Sequence, residues 1–189
     1  MTRTNLYVHV NTVDKKVFSH PTEVPENWSN IHGFSSLTDT ELSDLSDRHR
    51  PNEAWIKFDS SFPVDDYTFD AGWVDGAKGT VKLVYKKQRQ EAIKKGVSYN
   101  SIIFDADAET QTKMNIKKDS SATSFKWKYN NTYHTLTKSD ITAVHDALDD
   151  YIQKCYDMEA NYVSQIESVT DAAGLRTFTL DGTWPTNSY

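Results

Sequence analysis

The feature that most constrains this chain is an apolar stripe toward its C-terminus. Ile141, Leu148, Cys155, Tyr162 and Val169 recur every seven residues, Val144, Tyr151 and Met158 fill the intervening positions, and Ile152 and Ile166 lie beside them. That spacing is helical. Immediately upstream, Leu136-Thr137-Lys138-Ser139-Asp140-Ile141 carries a start signal: Thr137 as the cap, Asp140 reaching back to it, and Leu136 stapled to Ile141. A helix from 139 to 169 would be roughly 45 Å long at about 1.5 Å per residue. A domain of this size is narrower than that, so part of the helix is expected to touch something else. The stripe fits two arrangements equally: an ordinary core-facing side, or the seam of a trimeric or partner-bound coiled coil. The Tyr and the Cys within the repeat count against the coiled coil.

The N-terminal half reads as sheet. Leu6-Tyr7-Val8-His9-Val10 and Lys16-Val17-Phe18, separated by turn-forming polar residues, predict a hairpin. Pro21 and Pro25 then break the pattern, predicting an irregular loop through Trp28 and Ile31. Thr38, Glu41 and the pair Leu37 and Leu42 mark a short capped helix that ends before Pro51. Aromatic and β-branched runs at Trp55–Phe58, Tyr67–Phe69 and Thr80–Tyr85, punctuated by Pro63, Gly72, Gly76 and Gly79, predict further strands. From Gln88 to Lys95 good helix formers dominate, and Gly96 stands where a helix would close. A strand over 97–104 follows, then a segment from Asp107 to Met114 that suits either a helix or a strand. Phe125-Lys126-Trp127-Lys128-Tyr129, with Asn130-Asn131 and a return strand through Tyr133 and Thr135, predicts a hairpin with one buried aromatic face. The expected fold is α+β: an N-terminal mostly antiparallel β domain with a short helix over residues 1–85, and an 86–189 domain with a β-hairpin and one long α-helix.

The chemistry-bearing residues do not assemble into a catalytic set. The chain has 189 residues, enough for a real core, and a formal net charge of −6, which argues against a nucleic-acid partner. Its one cysteine, Cys155, permits no intramolecular disulfide and falls on the buried stripe, where a thiol is inert. The six histidines are scattered without a zinc-like spacing. Asp105, Asp107 and Glu109 alternate like the start of a calcium loop, but lack its central glycine; an acid-favoured helix N-terminus is the better reading. The lysines and Arg89 between 78 and 95 fit a solvated helix face better than an anion-docking surface. Asp44, Asp47, Asp65 and Asp66 are ordinary loop and cap acids rather than a glycosidase pair. No apolar run approaches the roughly 20 residues of a membrane span, and no secretory leader is evident. The expectation is a soluble chain, made in cytoplasm, without cofactor, metal or catalytic activity.

From Gln88 onward the order of features resembles a domain of unknown function found toward the C-terminus of phage tail-fibre, tail-fibre assembly and baseplate-associated proteins. The matching residues are Arg89 with Ala92-Ile93, Gly96-Val97, Tyr99, Phe104, Asp107, Gln111, Phe125 and Trp127, then Leu136-Thr137, the long helix, Thr170-Asp171, Leu175 and Trp184-Pro185. Asn100 stands where a glycine is usual and Asn130-Asn131 replaces an Asp-Gly-like turn; both keep the role, because Asn tolerates left-handed backbone angles. The resemblance implies a structural tail component in the virion, assembled in the host cytoplasm, with other tail proteins as partners, a possible homotrimer, and neither nucleic acid nor membrane. A tail-fibre assembly chaperone is the alternative. The expected interface anchors are Trp73, Tyr151, Met158, Tyr162 and Ile166, with Trp127 and Trp184 weighed and assigned rather to the core.

Overall fold

A computed structural model describes residues 6–23, 53–178 and 183–188. The loop through Trp28 and the capped helix at Thr38 lie outside the described residues. The fold is α+β, and the chain divides into two compact units: Met1–Tyr85 with Tyr162–Gly182, and Lys86–Asn161 with Thr183–Tyr189. The division between residues 85 and 86 falls where the sequence reading put it, but 162–182, expected in the second domain, groups with the N-terminal unit.

In the first unit, β1 (Leu6–Asn11) is central. It pairs antiparallel with β2 (Lys16–Val17), β3 (Thr22–Glu23) and β4 (Glu53–Lys57). Since Tyr7, Val10 and Asn11 each pair twice, β4 lines one edge of β1 while β2 and β3 share the other. Asn11 shapes the first turn by accepting from the amides of Val13 (2.9 Å) and Asp14 (2.8 Å), and Lys15 takes a left-handed φ of 54°. Leu6, Val8, Val10 and Val17 are buried, as are Phe58, Phe62 and Trp73. Trp73 packs edge-on at 4.6 Å from Phe69 and 5.5 Å from Phe58, and Phe62 lies tilted 5.4 Å from Phe58.

The next segment corrects the sequence reading. Thr80–Tyr85 is not a strand but the middle of helix α1 (Trp73–Lys94). A strand would put Val81, Leu83 and Tyr85 on one face; in the helix Ala77, Val81, Val84 and Tyr85 are buried together while Leu83 is 58% exposed. The β-branched residues and glycines disguised a 3.6-residue period. Gly76 is needed for a close approach rather than a turn, since a Cβ there would sit 2.2 Å from Nε2 of His20. The unit is completed from the far end of the chain. Tyr162 stacks on Tyr85 at 4.3 Å, Ile166 is buried, and Lys78 donates to the Glu167 carbonyl at 3.2 Å. Helix α4 (Ala172–Arg176), capped by Asp171, buries Ala172 and Leu175, and Arg176 donates to the Phe62 carbonyl.

In the second unit α1 ends at Gly96 (φ 64°), and the expected single strand over 97–104 is a hairpin instead. Strands β5 (Val97–Tyr99) and β6 (Ile102–Phe104) turn through Asn100 and Ser101, both left-handed at φ 48° and 62°. The left-handed angle expected at Asn100 is present, and with Ser101 beside it the angle divides the expected strand in two. The C-terminal segment returns to β5, where the Ser98 amide donates to the Asn187 carbonyl at 2.7 Å. The open choice after Asp107 resolves to helix: α2 (Ala108–Asp119) begins with Asp107 accepting from the Thr110 amide at 2.7 Å. The aromatic hairpin forms as read, β7 (Ser124–Tyr129) with β8 (Thr132–Thr137), and its Phe125, Trp127 and Tyr129 rest half-buried on the core. Helix α3 (Lys138–Ser168) follows directly. Its Ile141, Val144, Leu148, Tyr151 and Cys155 are buried with Met114, Phe104, Val97 and Ala92. The stripe is thus mainly the chain's own core.

Gly96 carries two constraints at once, a left-handed φ and a Cβ position 2.2 Å from the Phe104 carbonyl oxygen. Gly96→Ala is expected to lose about 2–3 kcal/mol of stability, read from chemical denaturation against Gly79→Ala, whose Cβ would meet open space and which should be neutral or stabilising.

Candidate interaction surfaces

The residues expected to anchor partners divide by burial. Trp73 is 4% exposed and donates its indole N–H to the Ser19 carbonyl at 2.8 Å. Tyr151 is 1% exposed and donates its hydroxyl to the Ala92 carbonyl at 2.7 Å, and Ile166 is fully buried. These three are corrected from interface to interior: each has its apolar surface covered by its own chain, and Trp73 and Tyr151 also have their polar atom paired there. Tyr162, stacked on Tyr85, and Met158 are partly buried. Trp127, 5.3 Å from Phe104, and Trp184, whose indole N–H reaches Gln88 at 3.3 Å, pack against the core of the second unit, as weighed from the sequence.

The exposed apolar side chains are others. Leu83 on α1, Ile116 on α2 (66% exposed), Tyr133 on β8 (66%) and Tyr156 on α3 stand out from the surface. Sequence reasoning passed over them because each sits in an amphipathic element and only the turn of that element decides which way it points. Tyr156 is held in place by charge. The Arg89 guanidinium lies 4.1 Å over its ring, while Arg89 Nε stands 3.2 Å from Glu159 Oε2 without hydrogen-bond alignment, and the side chains of this pair are only 10% and 17% exposed. A planar cation suits both neighbours; an ammonium would not.

Part of the basic stretch is committed internally. Lys78 pairs with Asp75 at 3.5 Å and with the Glu167 carbonyl, and Lys82 pairs with the Glu167 carboxylate. These cations sit at the C-terminal end of α3, where the helix dipole favours them. Elsewhere Lys118 reaches both Asp146 and His145 at 3.3 Å, and hydrogen bonds from His145 and Lys118 hold the Asp146 carboxyl below its ordinary value.

One carboxylate ties three elements of the second unit together. Asp140 Oδ2 accepts from the Thr137 hydroxyl (2.7 Å) and amide (2.8 Å), Oδ1 accepts from the Tyr99 hydroxyl (3.1 Å), and its own amide donates back to Thr137 Oγ1 (3.1 Å). This is the expected capping box with β5 added. The Thr137 bonds, chiefly the hydroxyl, lower the Asp140 pKa, and the bond to Asp140 raises that of Tyr99. Burial pushes the Cys155 thiol up, away from reactivity. Among the described residues no group of three or more His, Cys, Asp or Glu is placed to hold a metal. No described helix is long and apolar enough to cross a membrane.

These contacts describe an α+β protein whose specific polar contacts start helices, close turns and join elements. Residues 76–179 match the family described as a domain of unknown function, DUF4376, and since that span exceeds half the chain the protein belongs to this family. Searches of curated proteins and of solved structures found no match.

Two outcomes follow from the site. Asp140 has a depressed folded pKa, so its contribution is present above the unfolded carboxylate value and is lost as pH falls through the folded value. The melting-temperature gap between wild type and Asp140→Asn should accordingly be widest near neutrality and shrink on acidification. For Arg89, removal leaves Glu159 largely buried without its partner; Arg89→Ala is expected to cost about 3 kcal/mol, with Arg89→Lys restoring only part of it in equilibrium unfolding.

Proposed function

We propose that the protein is a structural component of a bacteriophage tail, associated with the baseplate or the fibres, that acts by contacting other tail proteins. The observation that carries the reading is the role of the residues by which it resembles tail-protein domains. Arg89 holds Glu159 and Tyr156, Gly96 turns α1 into β5, and Phe104 and Val97 fill the core. Asp107 and Thr137 start helices, Asp171 caps α4, and Trp127 and Trp184 pack on the core. Every one of these positions specifies shape. A signature made of framework residues favours a scaffold whose surface serves assembly, and it favours that over hydrolysis of host polymers, for which the residues would have to converge on a substrate.

The partners of this reading are baseplate or fibre subunits, and the location is the virion tail after assembly in host cytoplasm. Mass spectrometry of purified virions is expected to find the chain at a fixed stoichiometry to known tail subunits, with cryo-EM of the tail placing it in ordered contact with them. Absence from the particle, together with a higher yield of soluble fibre on co-expression, would reassign it as an assembly chaperone. Absence from the particle without that effect would remove both.

A further inference from the structure

Helix α2 is held to the second unit unevenly along its length. Its buried residues, Thr110 and Met114, lie in the first two turns, where Asp107 fixes the start. Past Met114 no residue of the helix is buried: Asn115, Ile116 and Asp119 are exposed, and Lys117 and Lys118 are half-buried. Ile116, the one apolar side chain in this last stretch, is 66% exposed. What ties the end of the helix down is therefore polar. Lys117 Nζ lies 4.9 Å from the centre of the Phe125 ring on β7. Lys118 Nζ reaches α3, where it stands 3.3 Å from His145 Nδ1 and 3.3 Å from Asp146 Oδ1.

The contacts of His145 Nδ1 compete with one another. Its lone pair can accept from Lys118. Carrying a proton, the same nitrogen donates to Asp146 Oδ1 at 3.1 Å, with Asp149 Oδ2 at 3.6 Å. One nitrogen does one or the other, and an imidazolium, protonated on both ring nitrogens, has only the second choice. Among the described residues the charged groups facing the ring are Lys118 from α2 and Asp146 and Asp149 from its own helix. Lys117 turns to Phe125, and Lys138 at the start of α3 donates to the Ser120 carbonyl at 2.7 Å.

We propose that His145 is a proton-sensitive latch: uncharged, it accepts from Lys118 and holds the last turn of α2 on α3; protonated, it turns an Nδ1–H to Asp146 and releases that turn. The direction follows from linkage. When the turn lifts away the lysine leaves with it, while both carboxylates remain, because Asp146 and Asp149 share the ring's own helix. The ring, whose side chain is only 13% exposed in the latched form, also gains water. Both changes make the imidazole hold a proton more tightly in the released state than in the latched one, so acidification favours release. Asp146 does not reverse the sign. Its carboxyl, held below its ordinary value by His145 and Lys118, stays ionised across the interval in which imidazole titrates. Nothing upstream has to open, since Met114 remains in the core with Ile141, Val144 and Leu148. Release frees the Lys118 ammonium and loosens the residues that lead into β7, giving this surface two forms selected by pH.

The test uses the isolated full-length chain, so it stands or falls apart from the tail assignment. Exchange of backbone amides with solvent is followed by NMR and divided by the chemical rate at each pH, with Leu148 and Tyr151 in α3 as references. Between about pH 8 and about pH 5, protection at residues 117–119 relative to the references is expected to fall about tenfold, as for the loss of one charge-assisted hydrogen bond. His145→Gln should abolish the fall, and Lys118→Met should give the released level at both ends of the range. Should the first variant fail to fold, the second decides alone. The imidazole nitrogen shifts should show Nδ1 without a proton at the upper pH. Protection at 117–119 that is indifferent to pH overturns the proposal. So does a fall that persists in either variant, or an Nδ1–H at the upper pH.

Discussion

The second unit depends on where α3 begins. A helix of 31 residues can start at many places, and a start displaced by one residue rotates every side chain by about 100°. Thr137 and Asp140 fix it by satisfying each other's backbone amides. With that start in place, Ile141, Val144, Leu148, Tyr151 and Cys155 fall on the side where Phe104, Val97 and Met114 wait. Because Asp140 also accepts from Tyr99, the same carboxylate positions the β5–β6 hairpin against the helix that it starts. A contact worth about 1 kcal/mol as a cap thereby selects the arrangement of a whole core.

Backbone exceptions do the complementary work of turning the chain. Asn100, Ser101, Asn130 and Asn131 reverse the two hairpins with left-handed angles that glycine usually supplies. Gly96 cannot be replaced in this way, because the Phe104 carbonyl occupies the space a Cβ would need. Asn therefore serves where the outside of the turn is open, and glycine where another strand passes close by.

The same economy bears on what the protein does. Its most specific polar contacts, the Asp140 node, the Arg89 set and the lysines on Glu167, each have a structural task, and burial keeps its single thiol inert. Among the described residues, what is left for other molecules is surface: solvated helix faces, isolated apolar side chains and strand edges. A protein so arranged is suited to being held in place by neighbours, which agrees with the tail-component reading.

The long helix, both of its start residues, the aromatic hairpin and the first hairpin were all legible in the sequence. Each is written in local spacing, between residues a few positions apart along the chain. The sequence misled at Thr80–Tyr85, where β-branched alternation outweighed a helical period that only the exposure of Leu83 reveals, and at 97–104, where one strand was expected and a hairpin forms. It also could not say that Trp73, Tyr151 and Ile166 are interior while Tyr133 and Ile116 face outward, nor that 162–182 returns to the first unit. Those outcomes were decided by tertiary structure. An apolar residue on a predicted face is chemically the same whether its own chain or another covers it, and the choice depends on partners distant in sequence, such as Ser19 for Trp73, Ala92 for Tyr151 and Tyr85 for Tyr162.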